Sequence, residues 1–247
     1  MARPTRIGVL VPSTNQVVEP DFAALVPPGV TFHTERLWNG DATPPGGGDG
    51  TYLQKMNDDL ERGATYLASA NVDVLAYGCT SGTYHAGTID YDNALRDRMT
   101  KASGLPAVTA VAASIAALKH VGAKAIGVLG PYGNFLLEQR LTPLFESQGL
   151  TIISTQGEPA MLQRTHDAII GDQDPEHIAA FVREAANPNA DVIFLPGTAW
   201  RALEVVEELE QALGKVVIAV NQATIWATFR ELGIERRIPG YGALFSK

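Results

Sequence analysis

The sequence has little cysteine and no long hydrophobic run. Of its 247 residues only Cys79 is a cysteine, which excludes an internal disulfide and a zinc site built from several thiolates. The longest apolar stretch, residues 107–118, contains Thr109 and Ser114 and is shorter than the roughly 18 residues that a membrane span needs. The apolar run near the N-terminus is too short for a secretory signal. We therefore expect a cytoplasmic protein with no membrane partner.

Positive charge and cofactor motifs are also scarce. The chain has 19 Lys and Arg residues against 27 Asp and Glu residues, a net charge of −8, and no basic cluster, so we expect no nucleic-acid partner. None of the five histidines are spaced as a helical metal pair, and the glycines at 127, 130 and 133 lack the Gly-x-Gly core of a dinucleotide site. The sequence therefore predicts neither a metal nor an organic cofactor.

Short β-branched runs alternate with longer amphipathic stretches along the whole chain. Strands are predicted at residues 6–11, 30–37, 72–77, 107–109, 124–129, 151–154, 191–195 and 216–220. Helices are predicted at residues 16–25, 52–69, 91–102, 111–119, 135–147, 175–186, 199–213 and 222–232. This alternation indicates an α/β fold with parallel sheets covered by helices on both faces.

The chain also repeats itself. Ile-Gly-Val-Leu at residues 7–10 recurs at 126–129, and the turn that follows recurs with it at the same offset of 119 residues. A second block, residues 73–75, matches residues 191–193 at an offset of 118. We therefore predict two Rossmann-like (flavodoxin-like) α/β halves, residues 1–115 and 116–247, related by a pseudo-twofold axis. A segment near 216–247 could pack back on the first half.

The repeated turns predict one cleft between the two halves. Ligands of open parallel sheets bind beyond the carboxyl ends of the strands, where these turns lie. The turns carry small hydrogen-bonding residues and no Asp, Glu or Lys, which suits an anionic ligand held by neutral donors. The candidate residues are Ser13, Asn15, Cys79, Thr80, Ser81, Tyr132, Asn134, Gly197 and Thr198.

Cys79 is the strongest candidate for a catalytic residue. It follows an apolar strand and precedes Thr80-Ser81-Gly82, which is typical of a turn into a helix. A thiol at a helix N-terminus has a lowered pKa and forms more thiolate at neutral pH. An inert core cysteine is the alternative. His166 could lie near the cleft or on the surface, and the glycine-rich residues 46–50 could form a lid or a plain linker.

Five segments together resemble a known family, namely residues 7–15 with Glu19-Pro20, 78–82, 130–132, 174–176 and 196–201. In these segments the chain is similar to the aspartate/glutamate racemase superfamily, within its maleate cis-trans isomerase and arylmalonate decarboxylase branch. The resemblance implies the duplicated fold, an interdomain active site, a small dicarboxylate substrate and no cofactor. It also implies one cysteine in each half, facing across the cleft.

This sequence departs from the family pattern in its second half. Cys79 matches the first-half cysteine, whereas Gly197 stands where the second is expected, so racemisation by two thiols is not expected. His166 falls near a position where isomerases carry a substrate-binding asparagine.

The retained thiol leaves three interpretations. The first is a maleate-type cis-trans isomerase with Cys79 as nucleophile, in which the other candidate residues bind substrate. The alternative is an arylmalonate-type decarboxylase in which Cys79 is the proton donor. The third is a non-catalytic dicarboxylate-binding protein. The sequence leaves the oligomeric state open, and a homodimer is one alternative, since such folds often pair through exposed apolar helix faces.

Overall fold

A computed structural model describes residues 3–38, 51–133, 136–162 and 170–246. The strands are β1 (Thr5–Pro12), β2 (Val30–Leu37), β3 (Val74–Tyr77), β4 (Ala107–Thr109), β5 (Ile126–Gly130), β6 (Ile152–Gly157), β7 (Val192–Leu195) and β8 (Val216–Ala219). The helices are α1 (Val18–Leu25), α2 (Thr51–Asp58), α3 (Leu60–Ser69), α4 (Thr80–Tyr84), α5 (Ile89–Ser103), α6 (Ala110–His120), α7 (Thr142–Ser147), α8 (Pro159–Leu162), α9 (Pro175–Ala185), α10 (Val206–Leu213) and α11 (Val220–Glu231). Among these described residues no helix has the length and apolar composition needed to cross a bilayer.

The strands form two parallel sheets with the same internal order. The first sheet runs β2-β1-β3-β4 and the second β6-β5-β7-β8. Leu10 of β1 pairs with Tyr77 of β3, and Val128 of β5 pairs with Phe194 of β7. Every residue of β3, β5 and β7 is buried, because helices cover both faces of each sheet. The predicted duplicated α/β fold is confirmed.

The last helix of each repeat packs on the opposite sheet. Helix α6 follows β4 of the first sheet, yet its Ile115 packs in a cluster with Phe194 of the second sheet. Helix α11 follows β8 of the second sheet, and its Ile225 and Phe229 pack with Ile7 of the first. The core of each sheet therefore includes one helix from the other half of the sequence. The predicted boundary between residues 115 and 116 stays a prediction.

Three predicted helices differ from those observed. In the helix predicted over residues 135–147, Leu137–Leu141 form a π-helical turn that leads into α7. The helix predicted over residues 52–69 is divided at Asp59 into α2 and α3. The helix predicted from residue 199 begins only with the 3₁₀ turn Leu203–Val205, which leads into α10. Trp200 is buried, and its indole N–H donates to the Gln173 side chain; residues 198–200 form a turn and a bend, and residues 201–202 are irregular. Tertiary burial of this indole overrides the local helical pattern.

Candidate active site

Cys79 lies at the N-cap of α4, directly beyond the carboxyl end of β3. Its backbone is extended, with φ −146° and ψ 104°, and Gly82 N–H donates to its Sγ at 3.3 Å. The side chain is 3% exposed, and the Ser81 hydroxyl lies 3.8 Å from the sulfur. A backbone N–H that donates to sulfur favours the thiolate over the neutral thiol, and the lowered pKa of Cys79 stays a prediction.

Asn15 shapes the neighbouring loop between β1 and α1. Its Oδ1 accepts hydrogen bonds from the N–H groups of Val17 and Val18, at 2.9 and 3.0 Å, which fixes the start of α1. The side chain is 2% exposed, and its Nδ2 has no hydrogen-bond partner within the described ranges of the chain. Because buried donors are nearly always satisfied, this N–H₂ group is suited to a ligand oxygen.

Arg36 holds the same loop from β2. Its guanidinium donates to the carbonyl of Asn15 at 2.7 Å and to the carbonyl of Ser13 at 3.0 Å, and it forms an ion pair with Glu19. Ser13 is half-buried. The arginine therefore orders the backbone beside Asn15, and its positive charge is paired with the Glu19 carboxylate.

Hydrogen bonds across the two halves bring their loops together. Thr80 Oγ1 donates to the carbonyl of Pro196 at 2.7 Å, so its hydroxyl proton serves the fold and is not directed at a ligand. Pro131 lies beside Gly197, and Tyr132 packs against both hydrophobic clusters of the second half. The loops that follow β3, β5 and β7 therefore meet, and the convergence of all four predicted loops on one cleft stays a prediction. Asn134, His166 and residues 46–50 lie outside the described residues.

Two buried residues that the sequence analysis missed support the loop at Thr198. Asn221 Nδ2, at the start of α11, donates to the Thr198 carbonyl at 2.9 Å and to Asp21 Oδ2 of α1 at 2.7 Å. Burial raises the pKa of Asp21 to about 8, although the hydrogen bond from Asn221 acts in the opposite direction. Asp21 and Asn221 are 200 positions apart, so no local pattern could have paired them.

A second missed group surrounds the thiol. The Tyr77 hydroxyl donates to Asn57 Oδ1 at 2.6 Å, and Asn57 Nδ2 donates to the Gly82 carbonyl at 2.8 Å. Burial raises the pKa of Tyr77 well above its ordinary value, and the neighbouring Cys79 thiol raises it further. A neutral phenol thus lies beside the sulfur. The continuous apolar run of β3 is the signal that could have found a buried Tyr77, but Asn57 comes from α2.

Gly197 has no room for a side chain. A Cβ at this position would lie 2.9 Å from Pro131 Cγ and Cδ and 2.9 Å from Trp200 Cβ. Neither neighbour is the free end of a flexible chain, so the backbone would have to move. A cysteine at position 197 is therefore incompatible with this arrangement of the loops.

We expect Gly197→Ala to destabilise the protein by about 1–3 kcal/mol, because the new methyl group overlaps Pro131 and Trp200. Chemical denaturation measures the loss. Gly171→Ala is the matched control, since a Cβ there meets its nearest atom at 3.4 Å, an ordinary contact. Equal stability of the two variants would contradict the steric argument.

Comparison with known proteins identifies the family. The arylmalonate decarboxylase family model matches residues 7–245. A maleate isomerase from Geobacillus stearothermophilus is 26% identical over 100% of this chain and 99% of its own length, and the arylmalonate decarboxylase of Bordetella bronchiseptica is 28% identical over 98% and 96%. The crystal structure of maleate isomerase Iso from Pseudomonas putida S16 superposes with a TM-score of 0.85 at 25% identity, covering 98% of each chain. The chain therefore belongs to the arylmalonate decarboxylase family.

Proposed function

We propose that this protein is a cofactor-independent enzyme that isomerises a small cis-dicarboxylate of the maleate type, with Cys79 as nucleophile. The observation that carries the proposal is the position of Cys79 Sγ, which accepts a hydrogen bond from Gly82 N–H where loops of both halves meet. Maleate isomerases from four bacteria, 24–27% identical over at least 94% of their own lengths, support this substrate class.

The proposed reaction needs one thiolate and no net proton transfer. The sulfur forms a bond to one alkene carbon of maleate, and the π electron pair moves onto the adjacent carbon and its carboxylate. The remaining carbon–carbon single bond rotates. The electron pair then re-forms the double bond, the carbon–sulfur bond breaks, and fumarate leaves as the thiolate is regenerated. Because the same sulfur adds and departs, the absence of a second cysteine does not block this route.

Neutral donors around the cleft would stabilise the charge that develops on the carboxylate. Asn15 Nδ2 is buried and has no partner among the described residues, so it is our first candidate donor. Ser81, the half-buried Tyr132 and the backbone N–H groups of Gly197 and Thr198 are the further candidates. A single preorganised donor of this kind is worth about 2.7–4 kcal/mol of barrier.

Decarboxylation of a substituted malonate is the second candidate, favoured by the presence of a thiol on only one side of the cleft. A 25% identical structure with a TM-score of 0.84 is that of an arylmalonate decarboxylase variant in which a glycine is replaced by cysteine and a cysteine by serine. In this reaction the carbon–carbon bond to one carboxylate breaks and CO₂ leaves. The electron pair of that bond stays on the α-carbon and delocalises into the other carboxylate as an enediolate. The neutral Cys79 thiol then protonates the α-carbon, and solvent returns the proton to sulfur.

Proton NMR in D₂O separates these reactions. The protein is incubated with maleate in one tube and phenylmalonate in another, each beside Cys79→Ala. We expect fumarate from maleate with the native protein alone. Deuterated phenylacetate from phenylmalonate would instead mean that the protein is a decarboxylase and that the proposed isomerisation is wrong. If neither substrate changes but maleate still raises the melting temperature of both proteins, the chain is a dicarboxylate-binding protein and the proposed catalysis is wrong.

A further inference from the structure

The side chains around the Cys79 sulfur form a connected buried group. A Cβ added at Gly82 would lie 2.6 Å from the Tyr77 hydroxyl, 2.9 Å from Met56 Cε and 3.0 Å from Cys79 Sγ. These three atoms therefore lie around one point, and the Tyr77 hydroxyl is within hydrogen-bonding reach of the Cys79 sulfur. Tyr77 is fully buried, so solvent does not compete for its hydroxyl.

Asn57 fixes the orientation of that hydroxyl. Its Oδ1 accepts from Tyr77 at 2.6 Å, while its Nδ2 donates to the Gly82 carbonyl at 2.8 Å and to the Tyr91 hydroxyl at 2.9 Å. With both ends of the amide engaged, Asn57 cannot turn without breaking these bonds. The Tyr77 proton has two acceptors within reach, the Asn57 carbonyl oxygen and the sulfur.

We propose that Tyr77 is a positioning residue for the thiolate: when Cys79 ionises, the phenol turns its O–H from Asn57 to the sulfur. In the neutral state the thiol S–H donates to the phenol oxygen, and the phenol O–H donates to Asn57 Oδ1. In the ionised state Sγ accepts from Tyr77 O–H and from Gly82 N–H together. The inference rests on the proposed function only in supposing that the thiolate is the reactive form.

The surrounding charges allow this role. Within the described ranges, the titratable groups that interact with Cys79 or with Tyr77 include three phenols and one guanidinium, namely Tyr77, Tyr84, Tyr91 and Arg98. Burial raises the pKa of Tyr77 and of Tyr84 well above the ordinary value, so both phenols stay protonated while the thiol titrates. Hydrogen bonds to the charged form lower the pKa of an acid.

Because Cys79 is the only cysteine, the ultraviolet absorbance of the thiolate reports on this one group. The absorbance of Cys79→Ala at each pH is subtracted to remove the tyrosine contribution. We expect Tyr77→Phe to raise the thiol pKa by about one unit, which means about tenfold less thiolate below the pKa. The pH profile of maleate turnover should shift upwards by the same amount.

Tyr84→Phe is the matched control, because Tyr84 is an equally buried phenol whose hydroxyl has no hydrogen-bond partner among the described residues. It should leave the thiol pKa unchanged. A second variant, Asn57→Leu, removes the competing acceptor and should lower the thiol pKa, the direction opposite to Tyr77→Phe.

An unchanged thiol pKa in Tyr77→Phe, or a shift of the same size in Tyr84→Phe, would overturn the proposal. If Tyr77→Phe does not fold, the direction of the Asn57→Leu shift decides. The titration needs no substrate, so it distinguishes failure of this inference from failure of the proposed isomerisation, which is seen only in the turnover of maleate.

Discussion

Replacement of Cys79 by alanine is expected to lower turnover of the substrate by at least about a thousandfold, because both candidate reactions use the sulfur directly. In isomerisation the thiolate forms the transient carbon–sulfur bond, and in decarboxylation the thiol delivers the proton. No second thiol exists in the chain to substitute for it. Initial rates of fumarate or phenylacetate formation measure the loss.

The control for this experiment is Ser114→Ala. Ser114 is also small and fully buried, and its hydroxyl donates to the Ala110 carbonyl within α6 at 2.7 Å and to none of the candidate site residues that the structure describes. We expect this variant to keep native turnover, and both variants to keep the native circular dichroism spectrum. Full activity of folded Cys79→Ala would refute a catalytic role for the thiol.

Replacement of Asp21 by asparagine is expected to stabilise the protein at neutral and mildly alkaline pH. Burial raises the pKa of Asp21 from 3.8 to about 8, so the folded state binds this proton more tightly than the unfolded state. The corresponding stability is fully present below pH 3.8 and is lost as the pH rises towards 8. At pH 7 the loss is on the order of 4 kcal/mol, and an asparagine, which cannot ionise, avoids it.

The asparagine can still accept the hydrogen bond from Asn221, but its N–H₂ group also needs an acceptor. An unsatisfied buried donor costs about 1–3 kcal/mol and would reduce the net gain. The slope of stability against pH is the better readout, because this cost does not vary with pH. Urea unfolding between pH 4 and pH 9 should therefore show a flatter profile for Asp21→Asn than for the native protein.

Asp92→Asn provides the comparison. Asp92 is also fully buried and accepts from Thr109 Oγ1 at 2.8 Å, but burial raises its pKa only to about 6. The stability that Asp92→Asn gains over the native protein should stop increasing near pH 6, whereas the stability gained by Asp21→Asn should increase up to pH 8. Parallel profiles for Asp21→Asn and the native protein would mean that Asp21 is not a raised-pKa carboxyl.

Much of the fold could be predicted because its signals are local. The apolar runs of β3 and β7 are buried on both faces, so they stand out from the amphipathic helices without any tertiary information. The repeat at residues 7–10 and 126–129 correctly placed two equivalent strands, β1 and β5, at equivalent positions in two sheets. The helix start at Cys79 was also visible, since a strand that ends in small polar residues turns at that point.

The details of the site could not be predicted, because they depend on pairs that are distant in sequence. Thr80 was a candidate ligand donor, yet its hydroxyl donates to the Pro196 carbonyl 116 residues away. Residues 199–202 match a helical pattern, but with Trp200 buried they form a turn, a bend and irregular chain ahead of the 3₁₀ turn. Neither outcome is encoded by the residues immediately around it.

The sequence by itself determined the duplicated α/β fold, the single thiol and its place at the end of a strand, because these follow from residue identity and short-range periodicity. Only the tertiary structure decided what surrounds that thiol. It brought Tyr77 and Asn57 to one side of the sulfur, and it closed Gly197 to any side chain by placing Pro131 and Trp200 against it. The physical reason is that hydrogen-bond partners and the space for a side chain depend on how helices and strands pack. Packing brings into contact residues that are distant in the sequence.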